Sequence, residues 1–147
     1  MPANRRGPAR PPCPGDNVSR VALFLNGLVM TMIGLRGLFG PEAFLGEFGV
    51  VLPTPTALGE ARAAHGGVFG ALAVLVWLGL FRPDFRITAL RVAAFVMLGL
   101  AVGRVLAFFV DGATESQSVI ATVAEIVLGG LAFAGLTREG TNAASDG

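Results

Sequence analysis

The hydrophobic residues of this chain fall into four long stretches that short polar segments separate. The stretches cover approximately residues 20–39, 60–81, 87–110 and 116–136. Because the hydrocarbon core of a bilayer takes about 20 apolar residues in a helix, each stretch is long enough to cross a membrane. The pattern therefore predicts an all-α integral membrane domain over residues 18–137, built as a bundle of four helices.

Polar segments flank and interrupt this domain. Residues 1–17 are rich in proline and arginine and residues 138–147 are polar, so both are predicted to be disordered cytoplasmic tails. The loop Gly40–Gly59 mixes apolar residues with Glu42 and Glu47. That mixture predicts a short amphipathic segment at the membrane interface. A re-entrant hairpin is the alternative, although it would leave backbone groups without partners.

Arginine placement predicts the orientation. Four arginines precede the first stretch, Arg82, Arg86 and Arg91 surround the second loop, and Arg138 follows the fourth stretch. The first and third loops carry acidic residues and no arginine. Because positive residues collect on the cytoplasmic side, both termini and the second loop are predicted to be cytoplasmic.

Composition supports a membrane protein and excludes one class of partner. The chain is 53% hydrophobic and 14% charged, with a mean hydropathy of +0.68. Globular domains average roughly 25% charged residues, so the lipid bilayer is the expected surrounding of these stretches. The net charge is +1, lysine is absent, and no basic face forms, which excludes nucleic acid as a partner.

Charged residues inside or beside the predicted helices are the candidate functional residues. A charge at the bilayer centre costs about 2.5–3.5 kcal/mol, so such groups normally face the bundle and find partners. Counted along their helices, they share the non-cytoplasmic half. The candidate ligand-binding residues are His65, Arg104, Glu125, Glu60, Arg62 and Asp111.

Two interpretations of these charges stay open. In one, Arg104 supplies a planar set of donors, His65 a switchable donor or acceptor, and Glu125 a counter-charge for a ligand. In the other, Arg104 pairs with Glu125, and Arg36 or Arg62 pairs with Glu60, and these pairs only fix the register of the helices.

Small residues indicate where helices pack. Ser118, Thr122, Glu125 and Gly129 form one stripe on the fourth predicted helix, which suits a face buried against other helices. Gly66 with Gly70, and Gly99 with Gly103, form small-xxx-small pairs on the second and third helices. The predicted helix-packing residues are Gly66, Gly67, Gly70, Gly99, Gly103 and Gly129.

Catalytic and metal chemistry finds little support in the residue types. Cys13 is the single cysteine and His65 the single histidine, so no disulfide or common zinc set forms, although His65 with Glu60 and Glu125 could hold a metal. No known catalytic motif occurs. No metal, cofactor or catalytic residue is predicted.

Two further residues have structural predictions. Asn26 is predicted to form a hydrogen bond between helices, and Trp77 is predicted to anchor its helix at the membrane interface.

The polar positions also resemble a known family. They recur in order across three predicted helices: Glu60-x-Arg62-x-x-His65-Gly66-Gly67, Gly103-Arg104, Asp111-Gly112 and Glu125. This order is similar to the bacterial family called domain of unknown function 4345, over roughly residues 20–136. The resemblance implies a small four-helix protein of the bacterial plasma membrane and marks these positions as shared. It implies no activity.

Three functions therefore remain. The first is binding of a small polar or anionic ligand, or a lipid headgroup, by the polar cluster in the non-cytoplasmic half. The alternative is a structural or assembly protein that partners another membrane protein or a second copy of itself. The third is an intramembrane enzyme, which the missing motifs make the weakest.

Overall fold

The computed structural model describes residues 14–145, with side chains described from 17 to 140. Within that part, the chain forms five helices and no strands. They are α1 (Pro14–Phe39), the short α2 (Pro41–Gly46), α3 (Pro55–Phe81), α4 (Pro83–Val110) and α5 (Ser116–Ser145). All but α2 are long and apolar enough to cross a membrane, so the predicted all-α membrane bundle is confirmed.

Two prolines explain why α3 and α4 begin earlier than predicted. The Thr54 side chain caps α3 by accepting a hydrogen bond from the Ala57 amide at 3.1 Å, and Pro55 occupies the first turn. Pro83 occupies the first turn of α4 directly after Arg82. Proline ends one helix but is accepted at the start of the next, because its missing N–H is not needed there. The predicted second loop therefore shrinks to Arg82.

The ends of the chain differ from the predicted tails. Residues 1–13 of the predicted tail 1–17 lie outside the described residues, and α1 already begins at Pro14. The predicted tail 138–147 is helical as far as Ser145, and residues 146–147 are outside the description. No proline interrupts this extension, and the Arg86 guanidinium lies 3.6 Å from the Glu139 carboxylate.

The four long helices pack in the order in which they occur along the chain, so α1 closes the ring against α3 and α5. Their shared core is formed by small and medium apolar side chains, among them Leu23, Met30, Val76, Leu90 and Met97. Large apolar side chains such as Phe95 and Phe109 remain exposed on the outside. Such a surface suits lipid, since lipid tails are as apolar as the side chains.

The backbones of α1 and α3 approach each other closely. A Cβ added at Gly37 would lie 2.6 Å from the Gly66 amide nitrogen, and one added at Gly34 would lie 2.9 Å from the Gly70 nitrogen. At this contact α3 widens into a π-helical turn, Arg62–Gly67, and the Val68 amide donates to the Ala63 carbonyl. Turns of this kind are rare and often occur at functional sites. The sequence analysis did not predict it.

Polar side chains join α1 to its neighbours at positions nearer the N-terminus than the backbone contact with α3. Asn26 is fully buried and donates to the Leu128 carbonyl of α5 at 3.2 Å, which confirms the predicted bond between helices. Trp77, whose position at the membrane interface stays a prediction, also joins two helices. Its indole donates to the Thr31 hydroxyl at 3.0 Å and its ring packs on Gly27, so it locks α3 to α1.

The predicted interfacial segment contains the helix α2. Its side chains Phe44 and Leu45 are buried and form a small apolar cluster with Ala61 of α3. Glycines flank it, with Gly40 before the helix and Gly49, at φ +74°, after it. The helix thus packs onto the bundle at the end where α1 and α4 finish and α3 and α5 begin, here called the α2 end.

Candidate functional site

An ion pair between α4 and α5 lies at the centre of the site. The Arg104 Nε donates to both carboxylate oxygens of Glu125, at 3.0 and 3.2 Å. The Glu125 side chain is only 10% exposed and that of Arg104 28%. Glu125 belongs to the predicted packing stripe, whose Thr122 and Gly129 are also buried, so that prediction is confirmed. The predicted pairing of Arg104 with Glu125 is confirmed as well.

A second pair links α1 to the segment after α2. The Arg36 guanidinium donates to the Glu47 carboxylate, and both side chains are about two-fifths exposed. The prediction that Glu60 would serve as partner is therefore wrong. Arg36 stands near the end of α1, where a basic side chain also opposes the negative end of the helix dipole.

Each arginine also lies on a phenylalanine ring of residues 41–48, which comprise α2 and the two residues after it and are here called the α2 segment. The Arg36 guanidinium carbon is 5.1 Å from the centre of the Phe44 ring, and that of Arg104 is 5.1 Å from the centre of Phe48. Such cation–π contacts are worth about 0.5–2 kcal/mol, with the upper values for desolvated groups. The α2 segment is therefore joined to both pairs. Arg36, Glu47, Arg104 and Glu125 are here called the charged collar.

A cavity of about 230 Å³ extends from the collar into the bundle. Below the collar its walls are apolar and come from α1, α4 and α5. These wall residues include Val29, Met32, Met97 and Leu128. Val29 and Met97 are each seven residues from the collar arginine of their own helix, so the walls extend about 10 Å along the helices.

A more polar cavity of about 380 Å³ adjoins the first at the α2 end. Glu47, Phe48, Arg104 and Gln117 line both cavities, and Glu115 and Ser118 line the outer one. The collar thus stands between a polar vestibule and an apolar chamber. An arrangement of this kind can hold a polar group at the collar and an apolar group beneath it.

Arg104 retains N–H groups that donate no hydrogen bond among the described residues. An arginine presents five N–H donors in a planar fork, and the pair with Glu125 uses the Nε donor. Among the described residues, no hydrogen bond is formed by its two Nη groups, which are also not buried. The pair therefore neutralises the charge of the guanidinium and leaves most of its donors without a described partner, on a side chain that lines both cavities.

Four of the six predicted ligand-binding residues lie away from this cavity. The Arg62 Nε donates to the Leu38 carbonyl at 3.1 Å, so it caps the end of α1. The His65 ring touches the edge of Phe44, with 6.0 Å between ring centres, and its Nδ1 is buried without a described hydrogen bond. Glu60 and Asp111 are exposed. Glu60, His65 and Glu125 do not meet as a metal-ligand group within the described chain.

The predicted packing glycines also separate into two groups. A Cβ added at Gly66 would lie 2.6 Å from Leu38, and one added at Gly129 would lie 2.7 Å from Leu98, so both positions exclude a larger side chain. The Gly70 backbone meets Gly34 of α1, although among the described residues nothing lies within 4 Å of its own Cβ position. Gly67, Gly99 and Gly103 have space at the position of a Cβ, and all three are exposed. For these three, no packing partner lies within the described bundle, so their role in helix packing stays a prediction.

Phe44, Glu47, Phe48 and Gln117 contribute to the site although sequence reasoning did not select them. Glu47 and Phe48 were visible as a polar and an apolar residue in the predicted interfacial segment. Only the folding of α2 back over the bundle brings them to the collar. The available signal was Arg36, which has no acidic residue one helical turn away on α1. An ion-pair partner for it therefore had to come from another segment, such as the loop that contains Glu47.

Comparison with known proteins gives the family. Neither the curated proteins nor the solved structures contain a significant match to this chain. A family model does match, described as Domain of unknown function (DUF4345), and it covers residues 18–136. That range includes all of α3 and α4, most of α1 and α5, and every residue of the collar. The chain belongs to the DUF4345 family.

Proposed function

We propose that this membrane protein binds a small ligand or a lipid headgroup with acceptor oxygens at the charged collar. The observation that carries this proposal is that Arg104 lines the cavity while its two Nη groups have no described hydrogen-bond partner. Arg36 stands on the opposite wall of the same cavity. Two guanidinium groups on facing helices suit a phosphate or carboxylate group, because a guanidinium can donate to two acceptor oxygens of such a group.

The surroundings of the collar favour recognition of such a group. The two carboxylates balance the two guanidinium charges, so the empty site carries no unpaired charge into the bilayer. The Arg36–Glu47 pair is partly exposed, and exposed pairs contribute only about 0–1 kcal/mol. A ligand oxygen can therefore replace Glu47 on Arg36 at small cost.

The test uses the intact protein in nanodiscs of a neutral phospholipid, with dodecyl phosphate as the anionic probe and dodecyltrimethylammonium as its cationic counterpart. Binding to the folded state raises the melting temperature, and the rise increases with the logarithm of the affinity at a fixed ligand concentration. We expect dodecyl phosphate to raise it and the cationic probe to leave it unchanged. Equal effects of the two probes contradict the proposal.

A variant that keeps the charge balance locates the site. Arg104→Gln combined with Glu125→Gln removes the donor fork together with its counter-charge. Charge-assisted hydrogen bonds are worth about 1.5–3 kcal/mol, so we expect affinity for dodecyl phosphate to fall at least about tenfold. The control is Arg91→Gln, an exposed arginine that does not line the cavity. Unchanged binding by the double variant overturns the proposal.

An assembly role is the second candidate, and one observation favours it. Gly99 and Gly103 form a small-xxx-small pair on the exposed face of α4, with nothing within 4 Å of either Cβ position. Such faces let two membrane helices approach closely. If a partner packs there, Gly99→Leu combined with Gly103→Leu lowers the mass of the complex isolated in mild detergent. An unchanged monomeric mass in both proteins rules out this role.

A further inference from the structure

The contact between α1 and α5 changes in character along its length. Toward the end opposite α2, two polar side chains of α1 reach carbonyls of α5. Ser19 donates to Gly135 at 3.4 Å and Asn26 to Leu128 at 3.2 Å. Continuing the same antiparallel register places Ile33 opposite Ala121, and both line the cavity. The two helices are therefore joined in one half and enclose the cavity in the other.

Residues at this part of the interface are exposed on the outside of the bundle while they line the cavity inside. Met32 of α1 is 48% exposed and Ile120 of α5 is 63% exposed, and both belong to the cavity wall. Ala124, one turn along α5, is exposed and lines the cavity as well. The outer surface of these helices lies at the depth of the acyl chains. The cavity consequently opens sideways toward lipid.

The interior of the cavity suits an acyl chain better than water. Its deepest wall residues, Val29, Met97 and Leu128, are apolar, and the latter two are buried. Apolar cavities stay dry and take up apolar groups. The polar vestibule and the collar lie only at the α2 end. A molecule that satisfies both parts must have an acceptor-bearing head and an apolar chain.

From this geometry we infer that the ligand is an amphiphile of the bilayer itself. It enters between α1 and α5 from the leaflet at the α2 end, which arginine placement predicts to be the non-cytoplasmic leaflet. Its chain lies between Val29, Met97 and Leu128, and its anionic head lies at the collar. This inference rests on the proposed function, because the collar must accept the head. It adds the chain and the route through lipid.

A photoreactive probe tests where the chain lies. Dodecyl phosphate with a diazirine in the middle of its chain is added to the protein in neutral nanodiscs, illuminated, and the adducts are mapped by mass spectrometry. Met97 is 1% exposed and Leu128 is 8% exposed, so neither lies on the outer surface of the bundle. We expect their adducts to exceed background at least about tenfold and to fall when unlabelled dodecyl phosphate competes. Adducts confined to exposed residues such as Val123 overturn the inference.

A matched pair of variants tests the route. Ala124→Phe places a ring at the lateral opening, whereas Val123→Phe places the same ring on the neighbouring exposed position, which does not line the cavity. We expect the first variant to weaken dodecyl phosphate binding at least about tenfold and the second to leave it unchanged. Butyl phosphate, which reaches the collar through the vestibule, should bind both variants equally.

The outcomes separate this inference from the proposed function. If neither phosphate binds the wild-type protein, the proposed function itself fails. If both phosphates bind, and Ala124→Phe affects neither, the head site stands and the route through lipid is wrong. If Ala124→Phe does not fold, the adduct map on the wild-type protein decides the question alone.

Discussion

Replacing Gly37 with alanine tests the backbone contact that positions the collar. The added Cβ would lie 2.6 Å from the Gly66 amide nitrogen and 2.7 Å from the His65 carbonyl carbon. Ordinary contact begins near 3.4 Å. Because the obstructing atoms belong to the backbone, no side chain can rotate away, and α1 must move away from α3.

The expected magnitude follows from two opposed effects. Alanine in a helix interior is favoured over glycine by roughly 0.5–1 kcal/mol. Overpacking of a well-filled contact costs about 1–3 kcal/mol, and this contact lies backbone against backbone, so we expect the upper part of that range. The net result is a loss of about 1–2 kcal/mol in the free energy of unfolding.

Gly99→Ala is the matched control, since nothing lies within 4 Å of its Cβ position in the described chain. Thermal unfolding in detergent, followed by circular dichroism at the helix signal, measures both variants against the wild type. We expect Gly37→Ala to melt several degrees lower and Gly99→Ala to melt at or above the wild-type temperature. If the two variants melt alike, the α1–α3 contact is looser than these distances state.

Three further predictions concern other contacts. Arg104→Leu should destabilise the bundle by about 3–5 kcal/mol in detergent unfolding, because Glu125 is left without its buried partner, while the double variant with Glu125→Leu should recover most of that loss. Trp77→Phe and Thr31→Val should each lower stability, with a coupling of about 0.5–1.5 kcal/mol in a double-mutant cycle, and additive losses would exclude the hydrogen bond. Gly49→Ala should cost about 1–2 kcal/mol because φ is +74°, whereas Gly49→Asn should cost less; equal melting temperatures would contradict this strain.

The sequence predicted the membrane helices well, because their signal is local. Apolar length identifies which segments can cross a membrane, and Pro83 marks the end of α3. The start of α3 at Pro55 and of α4 at Pro83 was not predicted. The pairing of Arg104 with Glu125 was also predictable, since both charges stand at similar depth on neighbouring helices. Local composition, counted along each helix, was sufficient for these features.

The missed features depend on contacts between distant segments. The π-helical turn at Arg62–Gly67 has no signal of its own and lies where Gly37 and Gly66 bring two backbones together. The spacing of Gly66 and Gly70 is the same as that of Gly99 and Gly103, but only the first pair meets another helix. Spacing identifies a small face, and the tertiary fold alone decides whether it is used.

The location of the collar follows from the same helix contacts. The close approach of α1 to α3 draws α1 to one side of the ring, and Ser19 and Asn26 hold its other end to α5. Toward the α2 end, these two constraints leave space between α1 and α5, where the cavity lies. Arg36 and Arg104 then face that space from opposite walls. The α2 segment places Phe44, Glu47 and Phe48 beside them. A single small-residue contact on one side of the bundle therefore helps to create a site on the other, which is why Gly37→Ala should weaken dodecyl phosphate binding although Gly37 does not line the cavity.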